Sequence, residues 1–310
     1  RQLALLERRR AIAVEQPLGS TIKLPFTSSN LHPEGTVDVA LLDDPNHPSP
    51  NPLRPVNESL LRRLEQSPSN LEIKLLKTLQ SGTEKWSQVW TATVEGEGKV
   101  YGNVIVKLLV ESLYPYPEGS WVAEEVEVFD WWSAKWFESR EARAYAAFRS
   151  LQGRDVPICY GFYRFRVPWG EDVVGIVLED LSDPKIAVTF EDCYKFNMAK
   201  PGKLTVEGID PIVSRILGTQ RRLQDSELVD FGFGPTDVLV LNTTTEAEPH
   251  IVFLDFGDHR TKEIIIKFFT PKEADHSEPT DGANYGRMVE DGIGAKQAWN
   301  SGGTVDTLSV

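Results

Sequence analysis

Ile251 to Leu254 is a fully apolar run that ends on Asp255, Phe256 and Gly257. A carboxylate at a strand end, released from the sheet by a glycine, is well placed to hold Mg²⁺ against a phosphate. Asp-Phe-Gly alone is a weak signal, and its context is what matters. A second apolar run, Val238 to Leu241, precedes it across the polar turn Asn242 to Pro249, and Asp237 stands just before that run. Two strands joined in this way bring Asp237 and Asp255 to the same end of a hairpin, with hard oxygen donors suited to a divalent cation. Asp230-Phe231-Gly232 spells the same tripeptide, but the apolar hairpin follows it, so Asp255 is the metal-ligand candidate.

The elements that must position these carboxylates can be read from periodicity. Leu3, Leu6, Ala11 and Val14 predict a short amphipathic helix over residues 1–16. Asp44 to Pro52 carries too many prolines for helix or sheet and is expected to be a loop. Ser59 to Glu65 predicts a helical turn. From Leu71 the pattern changes to strand alternation, with further strands at Gln88–Val94 and Val100–Leu109 joined by a turn over Glu95 to Gly98. A helix is predicted from Ala134 to Leu151, with Phe137, Glu141, Tyr145 and Phe148 on one stripe. Strands follow at Ile158–Val167 and Val173–Glu179, then a helix at Pro211–Leu223 with Ile212, Ile216 and Leu223 on one side. The stretch from Glu118 to Asp130 interleaves acidic and apolar residues, alternating from Glu124 to Phe129, and is expected to be a solvated insert, the alternative being a docking surface for a basic partner. Gly282 to Val310 is Gly-rich, and fraying is expected there.

The chain has 310 residues and a formal charge of −13, which argues against nucleic acid as the main partner. No apolar run approaches the length of a membrane span, so no membrane partner is expected. Cys159 and Cys193 are its only cysteines, too few for a disulfide framework or a Cys-based zinc site. A cytoplasmic or nuclear setting is the default expectation. His32, His47, His250, His259 and His276 show no metal-ligand spacing and are expected on loops or at the surface.

The order of a β-rich half, one helix and a helical half, together with Glu141-Ala142-Arg143-Ala144-Tyr145 and Leu151 to Gly161, resembles the protein-kinase-like superfamily. Within it, the similarity is to the kinase-like proteins of mushroom-forming fungi, over roughly residues 70–260. The resemblance implies an α+β, two-lobed fold. Residues 1–66 would be an extension, 67–181 an N-lobe of antiparallel sheet plus one helix, and 182–310 a mainly helical C-lobe shortened after the metal motif. It implies ATP and Mg²⁺ as cofactors and a protein partner that reads the nucleotide state. Lys107, at the end of Val104-Ile105-Val106, would reach the α/β phosphates, and Glu141 would pair with it. Glu138 is the rival partner if the helix is turned. Gly82 to Val89 would be the phosphate-covering loop, with Gly82 as its single glycine, Glu84 and Trp86 narrowing it, and Val89 over the base. Val177 to Leu181 would be the hinge, with Glu179 and Leu181 at the base edge. Asp255 and Asp237 would hold Mg²⁺.

One departure decides the expected activity. From Leu223 to Val240 the family resembles Leu-His-x-x-Gly-Val-x-His-Gly-Asp-x-x-x-x-Asn-Val-Leu-Val. In that register Asp230 stands at the family's His, Gly232 at its catalytic Asp, and Asp237 at its metal-binding Asn. Gly232 has no side chain to accept a proton. The leading expectation is therefore a nucleotide-binding pseudokinase with weak or absent phosphotransfer. The alternatives are an active phosphotransferase using Asp230 or a water as substitute base, and an interaction scaffold that binds no nucleotide. For the scaffold, Trp86 would fill the pocket.

Overall fold

The structure, a computed structural model, describes residues 2–42, 54–83, 85–115, 133–193, 206–224, 228–231, 234–241, 250–257 and 259–261. The loop at Asp44–Pro52, the acidic stretch Glu118–Asp130, Glu84, Gly232 and the Gly-rich tail named above lie outside these residues. The described residues all fall within one compact unit, Arg1–Ile264.

The architecture is mixed α+β. Its main layer is a curled, antiparallel six-stranded sheet. The strands are β1 (Lys23–Pro25), β2 (Glu72–Gln80), β3 (Gln88–Gly96), β4 (Lys99–Leu109), β5 (Cys159–Arg166) and β6 (Asp172–Glu179), in the order β1-β2-β3-β4-β6-β5. The β3–β4 connection is tighter than the expected four-residue turn. Gly96 already pairs with Lys99, leaving Glu97 and Gly98 at φ 52° and 73°. Two left-handed residues in a two-residue loop match the twist of the strands they join. Beyond β1, Phe26 bridges to Phe165 of β5, and the chain continues along that edge through Thr27 N–H to Arg164 O and Leu31 N–H to Phe162 O. The residues expected as an extension thus touch both edges of the sheet and curl it.

Helix α1 (Gln2–Glu15) forms as expected, but its buried side chains are Leu6 and Ala13, whereas Ala11 and Val14 face solvent. Short α2 (Val39–Leu42) and α3 (Glu58–Gln66) follow; α3 is capped by the Asn57 side chain accepting Leu60 N–H. α4 (Ala134–Ala147) starts at Ser133, whose hydroxyl accepts Trp136 N–H, and buries Phe137, Glu141 and Tyr145, with Phe148 at its C-cap. This is the stripe read from the sequence, and it faces inward because i, i+4 neighbours share one side of a helix.

Beyond β6 lies a three-stranded sheet in the order β10-β9-β7, from β7 (Ala187–Thr189), β9 (Val238–Leu241) and β10 (His250–Phe253). β8 (Leu228–Phe231) pairs separately with β11 (His259–Thr261). α5 (Val206–Gln224) packs on β10, and its Ile212, Ile216 and Leu223 join one core with Phe148, Phe162, Ile176, Ile251 and Phe253. Arg222 clamps the fully buried Asp155 through Nε at 3.1 Å and Nη2 at 2.8 Å, while Asp155 O accepts Phe253 N–H. The hairpin is therefore held by packing and by the Phe253 bond to the Asp155 loop, to which the Arg222 ion pair also ties α5. His250, expected at the surface, is 1% exposed: it opens β10, and its Nε2 contacts Arg154 O at 2.8 Å. Among the described residues no helix is long and apolar enough to cross a membrane.

Gly175 in β6 is required by close packing. A Cβ there would lie 2.6 Å from the Phe165 ring and 2.9 Å from Leu108. Gly175→Ala is expected to lower folding stability by about 1–3 kcal/mol, as overpacking does in dense cores. Urea unfolding measures this, and an unchanged midpoint would show that Phe165 yields freely.

Candidate functional site

Lys107 is the third residue from the end of β4, paired with Val89 on β3 and Ile176 on β6. Flanked by strands on both sides, its backbone is held firmly and its side chain leaves the sheet toward α4. There Nζ donates to Glu141 Oε1 and, at 2.5 Å, to Asp255 Oδ1. A buried ammonium is unfavourable unless paired. Here burial pushes the Lys107 pKa down, but the Asp255 and Glu141 carboxylates outweigh it, and the ammonium is held well above its ordinary value. Burial raises the Glu141 carboxyl, with Lys107 opposing. Asp255 is held below the usual carboxylate range, first by Lys107.

Glu138, one turn earlier on α4, makes a different set of contacts. Its Oε1 receives Lys135 Nζ at 2.8 Å and faces His32 Nε2 at 2.9 Å. Of the two rival carboxylates, Glu141 is the one that meets Lys107. His32 comes from the segment beside β5, so this segment grips the outer side of α4 and sets its rotation. Gly35 reinforces the grip: a Cβ there would sit 3.3 Å from Ala142 O.

Asp255 follows β10 with φ 57°, a left-handed conformation that is uncommon for a non-glycine residue. Such strain costs about 1–3 kcal/mol and persists where the surroundings over-determine it. The constraints are visible here. Leu254 N–H donates to Asp237 O at 2.7 Å, Phe256 is fully buried against Tyr145 and Phe148, and Gly257 N–H reaches Asp255 Oδ1 at 3.3 Å. Gly257 is crowded, since a Cβ would approach both Glu141 Oε1 and Phe137 to 3.3 Å. The side chain of Asp255 is still half exposed, with 50% of its surface open.

Asp237 lies at the same end of the β9–β10 hairpin, as its apolar runs predict. Its Oδ2 accepts Gly234 N–H at 2.7 Å. Burial raises its carboxyl, and the neighbouring Asp255 charge adds to the rise. Asp237 and Asp255 line one cavity of about 430 Å³ together with Lys107, Val89, Glu179 and Leu181. Tyr145, Leu178, Thr189 and Asp192 complete much of the wall. Val89, Ile105, Leu178, Leu181, Val188 and Leu239 give the cavity an apolar wall, to which Lys107, Asp237 and Asp255 add charge. That combination suits a flat apolar group with an anionic tail. Among the described residues no group of three or more His, Cys, Asp or Glu is arranged to hold a metal ion, so a cation between Asp237 and Asp255 would need oxygens from its ligand or from water.

Two expected contributors are placed elsewhere. Gly82 is absent from the cavity wall, and its N–H is taken by Gln88 Oε1 at 2.8 Å while Gln88 Nε2 holds its carbonyl at 2.9 Å. Its backbone groups are thus turned into their own loop. Trp86, expected to narrow the cradle, stacks beside Phe137 and Tyr114 at ring separations of 5.3 and 5.4 Å and leaves the cavity open. Asp230 lies within β8, its backbone opposite Arg260 of β11, and its side chain is outside the described set. The sequence reading missed Arg54, whose guanidinium reaches Glu179 across the sheet, and also His32. Neither has a local motif; only the fold brings each to a partner more than a hundred positions away. No protein-family model matches the chain, and no curated protein matches it in sequence.

Lys107→Met would leave Glu141 and Asp255 facing each other without a cation. The expected loss near neutral pH is about 3 kcal/mol, toward the lower end for a buried pair because Asp255 is half exposed. In the wild type the contribution of Lys107 is fully present below its unfolded pKa near the ordinary lysine value and is lost only as pH rises through the higher folded value. In the variant the raised Glu141 carboxyl should protonate first on acidification. The stability deficit should therefore shrink as pH falls from 8 toward 4, as measured by denaturant titrations at each pH. A constant deficit would count against this charge account.

Proposed function

We propose that the chain is a nucleotide-binding module of the protein-kinase-like type that takes ATP with Mg²⁺ and transfers phosphate weakly or not at all. The observation that carries this reading is the convergence of Lys107, Glu141 and Asp255 from three separate elements beside a mainly apolar cavity that Lys107 and Asp255 line. In protein kinases a strand lysine paired with a helix glutamate holds the phosphates, and the Asp of Asp-Phe-Gly holds Mg²⁺. The two-lobed reading of the fold is supported by the cavity's position, with its walls drawn from β3 and β4 on one side and from β7, β9 and the Asp255 turn on the other.

The division of labour follows from the side chains. Val89, Ile105, Leu178 and Leu181 would enclose the base. Lys107 would exchange part of its pairing with Asp255 for phosphate oxygens, with Glu141 keeping it charged and oriented. Asp255 and Asp237 would bind Mg²⁺, which would in turn offset the repulsion between their carboxylates. Gly232 stands where the resemblance places the catalytic aspartate and has no side chain to abstract a proton. Losing a general base costs roughly 10²–10⁴-fold. Phosphoryl transfer depends mainly on positioning and electrostatics, so slow residual turnover is compatible with this site. The open cavity and the outward packing of Trp86 favour nucleotide binding over a scaffold with a filled pocket.

Calorimetric titration with ATP is expected to show Mg²⁺-dependent binding that falls at least about tenfold in Asp255→Ala, the loss of one charged ligand. No heat under any condition would end the nucleotide reading. The Mg²⁺ dependence should weaken as pH falls toward the usual carboxylate range, because the raised Asp237 carboxyl protonates before Asp255. A raised carboxyl lowers stability once pH rises through its folded value. Asp237→Asn should therefore raise the melting temperature of the metal-free protein at neutral pH while keeping a metal-ligating oxygen, whereas Asp237→Ala should remove most of the stabilisation that Mg²⁺ and ATP bring to the wild type.

A further inference from the structure

Tyr145 stands one turn after Glu141 on α4, so its side chain leaves the helix on the face that meets Lys107 and Asp255. It lines the cavity beside Lys107, Pro157, Leu178, Leu254 and Asp255, yet the function proposed above gives it no task. Its ring is fixed by packing. Phe256 meets it edge to face at a ring separation of 5.4 Å, and Phe162 at 6.3 Å.

The hydroxyl at the end of this ring is unspent. Two neighbouring buried tyrosines use theirs on the fold: Tyr163 donates to Tyr160 O at 3.1 Å, and the Tyr160 hydroxyl accepts Asn57 N–H at 3.3 Å. The Tyr145 hydroxyl makes no hydrogen bond to any described residue. The Tyr114 hydroxyl and the Trp90 indole N–H are also without partners, but both atoms are sealed from open space, and the Tyr145 hydroxyl is not. Because only 1% of Tyr145 is exposed, the open space it reaches is the cavity it lines. A buried polar group that the protein leaves unpaired is costly, and a ligand that pairs with it recovers that cost.

The surroundings select the kind of acceptor. Burial holds the phenol well above its ordinary range, with Glu141 the first of the charges that push it further and Asp255 another. It is therefore a neutral donor near physiological pH. The same two carboxylates disfavour an anionic acceptor at this point, whereas Leu178, Pro157 and Leu254 suit a flat ring.

We propose that Tyr145 is a ligand-binding residue of the cavity, its hydroxyl donating a hydrogen bond to an uncharged acceptor, a ring nitrogen or carbonyl oxygen, on the bound base. This inference rests on the nucleotide reading. α4 would then serve the site twice, through Glu141 on Lys107 and through Tyr145 on the base.

Tyr145→Phe removes the hydroxyl and keeps the ring. The test is calorimetry of the full chain, wild type and Tyr145→Phe, with Mg²⁺–ATP and with Mg²⁺ and inorganic triphosphate, together with the melting temperatures of both ligand-free proteins. The variant is expected to bind ATP about three- to tenfold more weakly, as for one neutral hydrogen bond, and to bind triphosphate as the wild type does. It should melt no lower than the wild type, since no protein group loses a partner. Wild-type affinity for ATP in the variant overturns the proposal. An equal loss for triphosphate does so as well, because the acceptor would then be a phosphate. A lower melting temperature, or a variant that does not fold, also overturns it, because the hydroxyl would then be spent on the fold. If triphosphate binds neither protein, weaker ATP binding at an undiminished melting temperature supports the proposal and its absence overturns it. A wild type that binds no ATP ends the nucleotide reading and this inference with it, whereas wild-type binding with an unaltered variant ends the inference alone.

Discussion

The constraint on which the site depends is the desolvated ammonium of Lys107 held between Glu141 and Asp255. A charge in that position requires partners, and each partner arrives from a different part of the chain. Lys107 is fixed by strands on both sides, Glu141 by the inward stripe of α4, and Asp255 by a left-handed turn after β10. Moving any one of them by a few ångströms would leave a buried charge without compensation. The packing of α4 against the sheet and the hairpin is thus an electrostatic requirement as well as a hydrophobic gain.

The N-terminal segment serves this requirement at two points. Beside β5 it brings His32 to Glu138 and Gly35 against the α4 backbone, which orients the helix so that Glu141, and not Glu138, meets Lys107. Further on, Arg54 fixes the end of β6 through Glu179. A sheet closed at both edges by its own leading residues also has fewer exposed strand edges. The same ordering therefore shapes the cavity and protects the sheet.

The cavity combines features that pull in different directions. Its apolar wall favours a flat, weakly polar group, whereas its carboxylates disfavour the anionic tail that Lys107 would attract. Under the proposed function Mg²⁺ at Asp237 and Asp255 would resolve this. Burial, with the Asp255 charge beside it, raises the Asp237 carboxyl, so its charged form is disfavoured in this arrangement. Loss of a catalytic base would leave these binding features intact, since they depend on different residues.

The sequence alone determined the strand alternation from Leu71, the β3–β4 hairpin, the inward stripe of α4 and the hairpin that brings Asp237 and Asp255 to one end. These are local patterns, in which the period of apolar residues reports which face is buried. It also singled out Lys107 and Glu141, though only the fold could choose between Glu141 and Glu138, because a helix turned by one step presents either. Tertiary structure alone decided that Gly82 spends its amide on Gln88, that Trp86 packs on α4, that His250 is buried, and that Ala11 and Val14 face outward. It alone joined Arg54 to Glu179 and His32 to Glu138. Contacts between residues so far apart in the chain depend on how the sheet curls, and no short-range spacing encodes that.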